Sequence, residues 1–194
     1  MPRPREFNTQ DALQKAMGVF WAQGYQATSL QDLTKAMGIS KSSFYDTFGS
    51  KHELFISAID HYNETIAKPR TAAVIAEAAC VKAGIAAVFR NAADSVIEGG
   101  ENCGCFLNNC AGEVAPHDAL ATKHLAAGIK HIEEAFYGGL TMARDCGEID
   151  PWREPRALAR YLAASLNGLM VVGKVRPERE ALEDIIGVTL AALD

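Results

Sequence analysis

The sequence predicts an all-α protein in two parts, a small N-terminal unit of short helices and a larger helical C-terminal part. Three observations carry that expectation. Apolar residues recur at the i, i+3, i+4, i+7 spacing of a helix face along most of the chain. Ser, Thr and Asn precede these stripes and Gly follows them, as helix starts and stops require. Short β-branched clusters such as Val171-Val172 lie inside longer 3.6-residue patterns rather than in alternating strands.

Each element can be justified in turn. Asn8 or Thr9 can cap a first helix with the stripe Leu13, Ala16, Met17 and Phe20, ended by Gly24. Thr28 and Gln31 fit a capping box for a second helix bearing Leu30, Leu33, Ala36 and Met37 and stopped by Gly38. Ser40 caps a third, short helix with Phe44 and Phe48 on one side. Ser50 and Glu53 fit another capping box, opening a fourth helix with Phe55, Ala58, Ile59, Tyr62 and Ile66, which Pro69 closes. Helical patterns then cover about 71–80, 82–98, 103–115, 118–145, 155–175 and 177–193.

Composition narrows the class of function. The chain has 194 residues, 48% of them apolar, so it has material for a real core and is not disordered. No apolar run approaches the ~20 residues of a membrane span, and the opening Met1-Pro-Arg-Pro-Arg-Glu-Phe lacks the apolar stretch of a signal peptide. The five cysteines are an odd number in a chain too long to need disulfide staples. A reducing, cytoplasmic setting is therefore expected. Residues 1–68 hold seven Lys/Arg and seven Asp/Glu, leaving the whole net charge of −5 to residues 69–194. That distribution permits a locally basic face on the N-terminal part.

Met37-Gly38-Ile39-Ser40 joins two short helices through a Gly-containing turn, which is a helix-turn-helix. Its second helix offers Lys41, Ser42, Ser43, Tyr45 and Thr47 on faces that Phe44 and Phe48 do not occupy. These hydroxyls, the cation and the phenol can hydrogen-bond base edges or phosphates. A solvated helical hairpin inside an enzyme is the bland alternative. No nucleophile triad, phosphate loop, H-E-x-x-H or paired-carboxylate motif supports an enzyme.

The run from Gly24 to Leu30, with Met37 to Phe55, resembles the DNA-binding region of the TetR family of transcriptional repressors over about residues 8–60. Gly104-Cys105-Phe106-Leu107 and Gly147-Glu148-Ile149 also resemble strings of one TetR subgroup. The resemblance implies an all-α homodimer that is no enzyme, needs no cofactor and binds double-stranded operator DNA until a small-molecule effector releases it. It implies a helix-turn-helix DNA-binding domain over residues 1–50, a connecting fourth helix over 51–68, and an effector-binding and dimerisation domain over 69–194. Carried over by position, Thr28 would bind phosphate, Lys41, Ser42 and Ser43 would meet bases or phosphates, Tyr45 would reach the backbone or a thymine, and Lys51 would clamp phosphate. Ser42 stands where many relatives have Gly, a departure that affects contact distances there. Arg3 and Arg5 form a basic arm that is either solvated or inserted in a groove.

The last two helices carry the stripes Leu158, Leu162, Ser165, Leu169, Val172 and Leu182, Ile185, Ile186, Thr189, Leu193. Ala163, Ala164, Gly168 and Gly173 would allow close helix approach, and the family dimerises through these helices. Phe89, Phe106, Asn109, Cys110, Glu113, His117, Phe136 and Tyr137 combine aromatic walls with polar handles and are the candidate effector contacts. Cys103, Cys105 and Cys110 are expected to be structural. A thiol switch centred on Cys105 near a helix N-terminus is the second reading, and a metal site is the third.

Overall fold

The computed structural model describes residues 7–99 and 104–194. It is built of helices, with no strand among the described residues. The N-terminal helices are α1 (Thr9–Gln23), α2 (Leu30–Met37), α3 (Lys41–Phe48) and α4 (Lys51–Tyr62). Then come α5 (Lys68–Glu77), α6 (Val81–Glu98), α7 (Phe106–Val114), α8 (Ala119–Asp145), α9 (Pro155–Val175) and α10 (Arg179–Ala191).

Local chemistry explains most helix ends. The Asn8 carboxamide oxygen accepts the Gln10 and Asp11 N–H groups at 2.9 and 3.3 Å, satisfying donors that the first turn of α1 leaves free. The cap of α2 differs from expectation. Ser29, not Thr28, is the N-cap: its hydroxyl accepts the Asp32 N–H at 3.2 Å while Asp32 accepts the Ser29 N–H at 2.9 Å. Gly38 ends α2 at φ +70°, a left-handed conformation that suits glycine. Ser40 and Ser50 cap α3 and α4 by accepting the Ser43 and Glu53 N–H groups, each at 3.1 Å.

Pro69 does not end the fourth helix. Beyond Tyr62 the backbone widens into a π-helical turn, Asn63–Ala67, and runs straight into α5, where Pro69 occupies the second position. A proline is tolerated in a first turn because its missing N–H would lack an α-helical partner there. The next break comes at Ala78–Cys80, and a single 3-10 turn, Ala115–His117, separates α7 from α8.

Two hydrophobic cores result. The first joins α1 to α4 with α7 and the N-terminal half of α8, through Phe20, Phe44, Phe55, Phe106, Leu107 and Leu125. The second joins α5, α6, the C-terminal half of α8, α9 and α10, through Phe89, Phe136, Leu140, Leu162, Leu169 and Ile186. The 27 residues of α8, ~40 Å of helix, are common to both.

Candidate nucleic-acid interface and ligand cavity

Phe44 is completely buried and anchors α3, so the opposite side of that helix faces outward. Lys41, Ser42 and Tyr45 are exposed there, Tyr45 to 54%, with Ser43 partly so. The Ser40 hydroxyl lies 3.0 Å from both Ser42 Oγ and Ser43 Oγ, gathering three hydroxyls at the helix N-terminus. Lys51 opens α4, and its ammonium sits 4.5 Å from the centroid of the Tyr25 ring. Partial burial lowers its pKa below the usual lysine range, and the nearby Glu113 carboxylate opposes that shift. Five of the six expected DNA contacts therefore lie on or beside one outward face.

Thr28 does not. Its side chain is 1% exposed and its hydroxyl donates to the Gly24 carbonyl at 2.6 Å. With the cap shifted to Ser29, Thr28 turns inward, so a phosphate contact by its hydroxyl is not available. Arg3 and Arg5 lie outside the described residues.

Polar side chains of the second part reach back to this unit. Glu113 of α7 accepts the Tyr25 and Gln26 N–H groups at 2.9 and 2.7 Å, bracing the turn between α1 and α2. The Asp118 carboxylate caps α8 by accepting the Ala121 N–H at 2.9 Å and lies 2.6 Å from His52 Nε2 on α4. Farther along, Asp60 of α4 contacts His124 Nδ1 at 2.5 Å, and the Asn63 amide donates to the His124 carbonyl at 3.1 Å.

The candidate effector residues are not brought together. Phe89 and Phe136 pack inside the second core with ring centroids 6.1 Å apart. Phe106 belongs to an aromatic cluster with Tyr62 and the half-buried Trp21, whose ring meets Tyr62 edge-on at 5.3 Å. Asn109 accepts from Lys174 at 3.0 Å, Cys110 is buried in the first core, and His117 is exposed on the 3-10 turn. Glu113 is committed to the backbone of the α1–α2 turn. Helical periodicity identified apolar faces but not which faces enclose a space.

The space is elsewhere. A cavity opens between the π turn, α5, α6 and α9, with about 560 Å³ of empty volume including its mouth. Ile66, Val74, Val88, Leu166 and Met170 give it an apolar body, and Tyr62, Arg70, Thr71, Asn91, Cys105 and Asn167 add polar groups. Of the effector and redox candidates expected from sequence, Cys105 alone among the described residues lines it. Asn91 and Asn167, polar positions within apolar stretches, were the available signal.

Cys105 is the N-cap of α7, as the thiol-switch reading required, but it is only 4% exposed. Burial raises its pKa, outweighing the backbone N–H groups of α7, and the Tyr62 hydroxyl lies 3.7 Å from the sulfur. Burial also pushes the Cys110 thiol up. Neither residue is a ready thiolate. Cys103 lies outside the described residues, and among those described no three His, Cys, Asp or Glu side chains gather as a metal site.

Most of the stripes expected at a dimer interface turn inward, with Val172 the exposed exception at 39%. Leu162, Leu169, Leu182, Ile186, Thr189 and Leu193 are buried within the protomer, and Gly173 faces Val96. A second apolar face lies outward, with Tyr161, Ala164, Gly168, Val171 and Val175 on α9 and Gly187, Val188 and Ala191 on α10. Among the described residues no helix is long and apolar enough to cross a membrane.

Residues 12–58 match the family of bacterial regulatory proteins called tetR, and residues 81–187 match a tetracyclin repressor-like C-terminal domain. The HTH-type transcriptional regulator YezE of Bacillus subtilis (strain 168) is 36% identical over the full length of both chains. The HTH-type transcriptional repressor ComR of Escherichia coli (strain K12) is 31% identical over 97% of this chain and 90% of its own. Among solved structures, a cysteine-substituted form of the TetR family regulator CifR with 26-bp double-strand operator DNA matches with TM-score 0.87 at 31% identity, covering 99% of this chain and all of that one.

Proposed function

This chain belongs to the TetR family of bacterial regulatory proteins and is a DNA-binding transcriptional regulator rather than an enzyme; from that premise we propose that it is a dimeric repressor released from a palindromic operator by a small molecule. The observation that carries this reading is the outward face of α3, where Lys41, Ser42, Ser43 and Tyr45 stand clear of the core beside Lys51. Lys51 and Tyr45 hold phosphates and fix the register, while Ser42 and Ser43 approach base edges. The operator-bound likeness of CifR and the repressor name of ComR support the DNA target and the sign of regulation. The outward apolar face of α9 and α10 supports a two-fold partner, and such a dimer reads two half-sites about one helical turn or a multiple of it apart. The cavity beside α5 supports a small-molecule effector.

Selection of bound fragments from fragmented genomic DNA with the purified full-length protein tests the reading. A recovered palindrome is the expected outcome, and Ser42→Ala or Ser43→Ala should relax preference at particular positions by about 1–3 kcal/mol per lost contact. Recovery of no common sequence would overturn the assignment, and an unchanged motif with both variants would remove the two serines from base reading.

A further inference from the structure

The polar lining of the cavity is lopsided. Among the described residues Arg70 contributes the one positive charge of the lining, and no Asp or Glu lines the space. Arg70 makes no ion pair or hydrogen bond with another described residue. Beside it in sequence, Thr71 is 7% exposed and its hydroxyl has no hydrogen-bond partner among the described residues. Asn91 and Asn167 bring two further carboxamides whose side chains are likewise without partners there. Much of the remaining wall is aliphatic, formed by residues such as Val88, Leu166 and Met170. Arg70 and Asn91 are exposed at the cavity, so water completes these groups until the polar head of a ligand takes its place.

Resting on the reading of this cavity as the effector site, we propose that the effector is a small monoanionic carboxylate with an apolar body. Its carboxylate pairs with the Arg70 guanidinium, whose planar fork matches two carboxylate oxygens, and accepts the Thr71 hydroxyl. The Asn91 and Asn167 amides donate to the same head or its neighbouring polar atoms. The hydrocarbon body lies along the aliphatic wall, where burial of its surface supplies the non-directional part of the affinity. A single guanidinium balances one negative charge, which selects against dianions such as phosphate monoesters. An amine finds a cation facing it and, among the described lining residues, no acid.

The test is calorimetric titration of the full-length protein with butanoate, hexanoate and octanoate against hexan-1-ol and hexylamine at neutral pH. At least one carboxylate should bind about tenfold or more tighter than hexan-1-ol, with hexylamine weakest. Arg70→Gln should lower that carboxylate's affinity about tenfold, and Arg70→Lys should restore part of it, with melting curves showing that both variants fold. Absence of binding by all three carboxylates, an alcohol or amine that binds as well as they do, or an Arg70→Gln protein with wild-type carboxylate affinity would overturn the proposal. Operator affinity measured in parallel separates the two readings. A carboxylate that binds through Arg70 without weakening operator binding supports the ligand class and overturns effector release.

Discussion

Lys51 shows how one residue serves two masters. Its stem and ammonium lie against Tyr25 at 4.5 Å, which fixes the cation at the start of α4 beside that helix's free N–H groups. Lys51→Ala should therefore weaken operator and unrelated DNA alike and lower the slope of log affinity against log salt by about one unit. An unchanged slope in filter-binding titrations would remove Lys51 from the phosphate contacts. Asp118 makes a different kind of contribution. The Ala121 N–H first, and then His52, hold its carboxyl below the usual aspartate range. A depressed carboxyl stabilises the fold above that range and loses the effect as pH falls through it. Asp118→Ala should cost about 1 kcal/mol at neutral pH, and the gap to wild type should narrow as pH falls below the usual aspartate range in denaturant titrations. Individual residues were legible in the sequence where the signal was local. The caps Ser40 and Ser50, the pair Asn8 and Thr9 at the start of α1, and the exposed set on α3 could be read from spacing. The position of Cys105 at a helix start was also readable, but burial decides its ionisation, and burial depends on Tyr62, which is 43 residues away in the chain.

At the scale of elements, α9 presents two apolar faces, one packed in the protomer and one outward, which the proposed dimer would cover. Leu169 is 1% exposed and belongs to the protomer's own core, whereas Val171 is 53% exposed on the outward side. Val171→Glu should leave the protomer folded and shift the proposed dimer toward monomer, because a charge on this face would be buried without a partner only on association. Light scattering reads the mass and circular dichroism the fold; a stable dimer in the variant would place the interface elsewhere. Leu169→Ala should instead cost about 2–5 kcal/mol of stability through a core cavity. Sequence periodicity located both helices to within a few residues but could not rank their faces, because an apolar stripe looks the same whether it meets its own chain or another. The π turn at Asn63–Ala67 was beyond reach for a related reason. It adds no residue type that marks it, and Pro69 reads locally as a stop although it lies early in α5. The turn sits where Ile66 and Ala67 wall the cavity and Asn63 meets α8.

At the scale of the molecule, the DNA-binding helices do not own their core. Phe106, Leu107, Cys110 and Val114 of α7, with Ala121 and Leu125 of α8, are packed into it, and Glu113 and Asp118 bond to its surface. A fragment ending at residue 68 should therefore expose that apolar seam and unfold well below the intact protein in a thermal melt, while retaining most of the helix signals its sequence carries. A fragment as stable as the whole would show that the seam contributes little. The two tryptophans fall on either side of this arrangement. Trp21 stands edge-on to Tyr62, which lines the cavity, whereas Trp152 is 93% exposed in the turn between α8 and α9. Their emission separates by colour, blue for the sheltered indole and red for the hydrated one. A Trp152→Phe protein then has a single emitter, placed one ring away from the cavity wall, so occupancy of the cavity becomes an optical signal that needs no label and no DNA.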